Sequence, residues 1–166
     1  ELEEVISEFG SNYDHHLRKL LTRLDPADLG GRNTAVLEAA GVVGYHQTKF
    51  EMFAVYEEVP EVLGALQAMG LQLGIISAGL TIKQAEKLVR LQILEYLDPG
   101  AIFISDQVGI SKPNPKLYSH ACETLDLDHA QAMVVGDHPR NDIDPPNELG
   151  MITVWHTRTG KHALGI

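Results

Sequence analysis

Residues 133–143, MVVGDHPRNDI, run three apolar side chains into Gly136 and then set Asp137 and Asp142 at either end of a polar, proline-bearing segment. A short apolar run closed by glycine reads as a buried strand. Carboxylates placed directly after such a strand repel each other unless something cationic sits between them. The stretch therefore predicts a strand end with a cation-holding loop, and it sets the question of what the rest of the chain brings to that loop.

Working outward, the chain from about residue 55 alternates helix and short strand. Pro60 suits the first turn of a helix whose buried face is Val62, Leu63, Leu66 and Met69, and Gly70 ends it. LQLGIIS (71–77) reads as a strand, followed by a helix from Thr81 whose T-x-x-Q spacing to Gln84 resembles a capping box. AIFIS (101–105), a helix at about 115–125, QAMVVG (131–136) and MITVWHT (151–157) continue the pattern. Strands alternating with helices imply βαβ units and a parallel sheet. The first third has no strand pattern. Helices are expected at 2–9, at 13–24 (capped by Ser11) and at 34–52, the last with Val36, Ala40, Val43 and Phe50 on its apolar side.

The 166 residues suffice for one domain, or a domain with an appendage. Lys+Arg 13 against Asp+Glu 23 gives 13 − 23 = −10, with no basic run to offset it, which argues against a nucleic-acid or anionic-membrane partner. An acidic protein that handles an anion must concentrate positive charge locally or import a cation. The single cysteine, Cys122, excludes an intramolecular disulfide and fits a reducing, cytoplasmic setting. No run is apolar for the length of a membrane span.

In parallel α/β sheets ligands bind at the carboxyl ends of the strands. One predicted strand ends at Ser77, where a hydroxyl and the N–H groups of Ala78 and Gly79 suit an oxyanion. Another leads through DQVGIS to Lys112 in SKPNP, and a third ends at Asp137. Hydroxyl, lysine and carboxylates converging on one place suit a phosphate with Mg²⁺.

The sequence resembles the haloacid dehalogenase superfamily of phosphatases. Ser77 matches its second motif, Lys112 in SKPNP its third, and Asp137 with Asp142 in GDHPRND its fourth. SNYDHHLRKLLTRL, YHQTKF and GLTIKQAEKLVRLQI look like a subgroup of mostly archaeal hydrolases with a helical cap inserted after the first motif. The resemblance implies an α/β fold: a Rossmann-like parallel sheet core (55–166) with a helical cap (1–54), lacking its central first strand and its C-terminal end. It implies hydrolysis of a small phosphorylated metabolite through an aspartyl phosphate. Lys112 and Asp142 would be catalytic; Ser77, Ala78, Gly79 and Lys112 would bind substrate; Asp137 would ligate Mg²⁺ directly and Asp142 through water, or else orient Lys112. A homodimer is left open.

The family's first motif, D-x-D, supplies the nucleophile, and neither D-x-D here fits it. Asp126-Leu127-Asp128 reads as a helix-to-strand turn, and Asp144 in Asp142-Ile143-Asp144 as the N-cap ahead of Pro145 and Pro146. The nucleophilic Asp is expected upstream of Glu1, in a longer protein, or else another chain fills the gap. The alternatives are a 2-haloacid dehalogenase, which needs no metal, and a non-catalytic binding fragment. His138 is expected beside the site without a catalytic role, His15 and His16 on the surface, and Cys122 and Trp155 in packing.

Overall fold

The computed structural model describes residues 1–10 and 13–158, with Phe50 described by its backbone alone. The cap expected at Ser11 and the Phe50 side chain lie outside that description. Two compact units divide the chain, Glu1–Val55 and Tyr56–Ile166.

The first unit is α-helical, with α1 (Leu2–Phe9), α2 (His16–Arg23) and α3 (Thr34–Met52). Val5 of α1 is fully buried, and Arg23 of α2 pairs with Glu8 of α1. Asn33 caps α3 by accepting the Ala35 N–H at 2.9 Å. The expected apolar side of α3 is not the packed one: Val36 and Val43 are 65% and 54% exposed, and Ala40 is exposed too. α2 lies instead on Glu38 and Gly41, because Gly41 admits Leu17 so closely that a Cβ there would stand 2.9 Å from Leu17 Cδ1. Arg18 closes this contact on Glu38 at 3.1 Å. His15 is exposed, while His16 is half-buried with Nε2 2.7 Å from the Gly10 carbonyl.

The second unit runs α4 (Val59–Ala68), β1 (Ile75–Ser77), α5 (Thr81–Leu91), β2 (Ile102–Ile104), α6 (Ser105–Val108), α7 (Lys116–Thr124), β3 (Met133–Gly136), α8 (Asp144–Glu148) and β4 (Ile152–Trp155). Parallel strands alternate with helices, the α/β class expected from the sequence. The described strands form two parallel pairs, β1 with β2 and β3 with β4, rather than one continuous sheet. Residues 71–74, expected as strand, lie outside the ladder. Gly74 brings the chain against β2, since a Cβ there would stand 2.6 Å from the Ala101 carbonyl oxygen. On α4, Leu63 and Leu66 are half-buried, but Val62 and Met69 of the expected face are 50% and 73% exposed.

α7 organises the core because it serves both strand pairs. Its Ala121 packs with Ala101 and Phe103 of the β2 side, and its Tyr118 and Cys122 pack with Met151, Val134 and Leu127 on the β3–β4 side. Ile76 of β1 touches both clusters. The placement follows from α7's helical spacing: Leu117, Tyr118, Ala121 and Cys122 form one broad buried face.

Gly74→Ala is expected to destabilise the protein by about 1–3 kcal/mol through overpacking between β1 and β2. Urea unfolding checks this, and an unchanged midpoint would refute the close approach.

Candidate active site

After β3 the chain leaves Asp137, passes His138 and closes a single wide π-helical turn over Pro139–Ile143. Gly136 makes this possible: a Cβ at that position would lie 2.2 Å from Asp142 Cβ. The turn folds Asp142 back over the end of its own strand, where it is 7% exposed. A buried carboxylate with no partner is several kcal/mol uphill. Here Oδ1 lies 2.6 Å from Lys112 Nζ, and Oδ2 accepts the His138 N–H at 3.0 Å.

Two further groups hold the turn from below. The buried Tyr118 of α7 donates its hydroxyl to the Asn141 carbonyl at 2.6 Å. Burial first, and then the Asp142 charge, push its phenol well above the ordinary range, so it remains a donor. Trp155 of β4 donates its indole N–H to the Asp137 carbonyl at 3.1 Å, a role beyond the packing expected of it. Among the described residues no group hydrogen-bonds the Asp137 carboxylate, which is half-buried at the strand end.

A second cluster forms at the end of β1. The Ser77 hydroxyl lies 3.0 Å from Gln84 Oε1, and the Gly79 N–H donates to Ser105 Oγ at 3.0 Å. Ser105 is 4% exposed and opens α6, whose far end leads toward Lys112. Gly79 takes φ +135°, a value that L side chains rarely adopt. The capping box expected at Thr81 does not form. Thr81 is already helical, and both its N–H and its hydroxyl donate to Asp106, at 2.9 and 2.6 Å. Gln84 turns back to Ser77 instead of to the helix start.

The structure thus joins Lys112 and Asp142 directly, with Asp137 at the head of the same turn. Ser77 and Gly79 belong to the Gln84–Ser105 cluster. Ser105 and Tyr118 were not singled out from the sequence, and Gln84 was read only as a cap for the helix from Thr81. Asp126, with φ 53°, ends the α7 segment, and Asp128 makes a reciprocal cap with Gln131. Asp144 is the first residue of α8, after Ile143, rather than its N-cap. Neither D-x-D string stands at the end of a strand.

A hard dication fits these residues. Mg²⁺ typically binds through one or two carboxylates, its remaining positions filled by water and substrate phosphate. Asp137 has both oxygens available, and Asp142 contributes only what Lys112 and His138 leave. Among the described residues no group of three acidic, His or Cys side chains is placed to hold a metal ion.

The family model described as haloacid dehalogenase-like hydrolase matches residues 2–155. A glyceraldehyde 3-phosphate phosphatase of Methanopyrus kandleri is 40% identical over 98% of this chain and 66% of its own length. One of Pyrococcus abyssi is 40% identical over 93% of this chain and 62% of its own. The chain therefore spans slightly less than two thirds of these relatives. The crystal structure of a phosphatase of the same superfamily from Thermococcus onnurineus superposes with a TM-score of 0.61 at 30% identity, covering 68% of this chain and 51% of that one.

Gly136→Ala is expected to push Asp142 off Lys112 and destabilise the fold by about 2–4 kcal/mol, read by urea unfolding. A variant as stable as the parent would show that the turn tolerates a Cβ. The exposed Asp106 carboxyl is held below its ordinary range by the Thr81 hydroxyl and then the Thr81 N–H. A depressed folded-state pKa gives stability present above the unfolded value and lost as pH falls through the folded one. Thr81→Ala should therefore raise the Asp106 pKa in an NMR titration and weaken the fold at neutral pH relative to strongly acidic pH.

Proposed function

The chain belongs to the haloacid dehalogenase-like hydrolase family, and from that membership we propose that it carries the phosphate- and metal-binding part of a phosphatase for small phosphate monoesters. The observation that carries this reading is the largely buried Lys112–Asp142 pair at 2.6 Å, in the same turn as Asp137, whose carboxylate takes no hydrogen bond among the described residues. The kinship with phosphatases of glyceraldehyde 3-phosphate favours a triose phosphate or a comparably small substrate. Residues 1–54 are assigned as the cap region and 55–166 as the α/β core.

Lys112 has three N–H donors, and Asp142 takes one of them, fixing the ammonium on a short tether. The remaining donors are available to the non-bridging oxygens of the phosphoryl group, where charge is spread during transfer. The Ser77 hydroxyl and the Ala78 N–H would bind another oxygen, since the Gly79 N–H is committed to Ser105. Asp137 would hold Mg²⁺, which when bound supplies further neutralisation of those oxygens. Asp142, with Lys112 on one oxygen and the His138 N–H on the other, is assigned to orienting Lys112.

The reaction itself would be in-line attack by an aspartate carboxylate on phosphorus, expulsion of the alcohol, and hydrolysis of the aspartyl phosphate by water. That nucleophile is not among the residues assigned to this site. Asp128 is engaged in its turn and Asp144 in the first turn of α8. The dehalogenase alternative dispenses with the metal, and the Asp137 carboxylate, which takes no hydrogen bond among the described residues, disfavours it.

The full-length protein should hydrolyse an aryl phosphate and glyceraldehyde 3-phosphate in Mg²⁺, and lose turnover in EDTA. Lys112→Ala should lower kcat by about 10²-fold or more, and Asp137→Asn should weaken the response to Mg²⁺. No turnover of any phosphate ester by the full-length protein would refute the reading. Chloride release from a 2-haloacid without metal would replace it with the dehalogenase.

A further inference from the structure

We propose that Gln84 is a positioning residue that sets the direction of the Ser77 hydroxyl and so tunes phosphate affinity, a proposal that rests on the phosphatase reading of this site. Gln84 Oε1 receives two groups, Ser77 Oγ at 3.0 Å and Lys87 Nζ at 3.1 Å. A lysine ammonium can only donate, so the amide must turn its oxygen toward Lys87. Ser77 then has one option, to donate its proton to the same oxygen.

That orientation has a consequence for an anion. With its proton on Gln84, Ser77 turns lone pairs to whatever else approaches, and a phosphate oxygen is repelled by them. Binding requires the hydroxyl to rotate its proton from Gln84 to the phosphate. Lys87 lowers the cost of that rotation, because it goes on donating to Gln84 Oε1 after Ser77 has left. No covalent bond changes; only the hydroxyl proton turns about the Cβ–Oγ bond.

The packing holds Gln84 in this role. Its side chain lies beneath the Ser77–Gly79 turn so closely that a Cβ on Gly79 would meet Nε2 at 2.4 Å. Gly79 is pinned from its other side by the buried Ser105. Gly79, having no Cβ, leaves the space that the Gln84 amide occupies, and from there the amide competes for the serine proton.

The test is a double-mutant cycle on the full-length protein, with inorganic phosphate binding read by calorimetry in Mg²⁺. Ser77→Ala should raise the phosphate Kd about tenfold, the loss of one hydrogen bond to a charged group. Gln84→Met should change Kd about threefold or more in the parent and leave it unchanged in the Ser77→Ala background, because it acts through that hydroxyl. Gln84→Glu, of the same shape, holds the serine proton more strongly and should weaken phosphate binding. The ratio of its Kd to the parent's should fall toward one as pH drops through the carboxyl range near about 4. Equal effects of Gln84→Met in both backgrounds, or a Gln84→Glu ratio that ignores pH, would reduce Gln84 to ordinary packing. A Ser77→Ala protein that binds phosphate like the parent would instead remove Ser77 from the site, overturning this proposal together with the phosphate-binding role assigned to that strand end.

Discussion

The contact between Lys112 and Asp142 is the constraint on which the described core depends. Asp142 is buried at 7% exposure, and Lys112 arrives from the segment after β2 to set a positive charge 2.6 Å from it. For the two to meet, β3 must end in a residue without a side chain, and the chain must double back in a wide turn. α7 must also present Tyr118 under Asn141. Each requirement is local, yet together they fix how the β2-derived segment stands against β3. An interaction that would be worth little on a surface thus becomes structural when its partners' side chains are only 15% and 11% exposed.

Much of this was legible in the sequence because motifs carry chemistry in fixed order along a fold. The apolar run into Gly136, the acids after it and the lysine after the preceding strand predicted a meeting of charges, and Lys112 and Asp142 do meet. The parallel α/β class and the positions of α3, α7 and β3 were likewise readable from periodicity. What periodicity hides is which face of a helix a neighbour chooses. On α3 the valines mark an apolar stripe, but Gly41 allows a closer approach by Leu17, and close packing outweighs side-chain hydrophobicity there. Gln84 was misread for a similar reason: a T-x-x-Q spacing is local, while the hydroxyl it serves lies seven residues back, at the end of a strand. Strand lengths were overestimated because an apolar run records burial, whereas a ladder also needs a neighbour in register.

The two halves of the site also differ in kind. At Lys112–Asp142 opposite charges are locked by burial, so geometry is set before any ligand arrives. At Ser77 the decisive group is a neutral hydroxyl whose heavy atom is fixed and whose proton is not. In the phosphatase proposed above, the rigid charge would define where an anion sits and the soft donor how readily it enters.

Cys122 supplies a consequence of another sort. It is the sole cysteine, 5% exposed on the packed face of α7, with its thiol pushed up first by burial and then by the neighbouring Glu123 charge. Little thiolate forms and little of it can be reached, so alkylating and maleimide reagents find almost nothing to modify in the folded state. These 166 residues are in effect cysteine-blank toward such probes. A fluorophore or spin label attached through one introduced surface cysteine would report from that position alone, with the native thiol silent until the core opens.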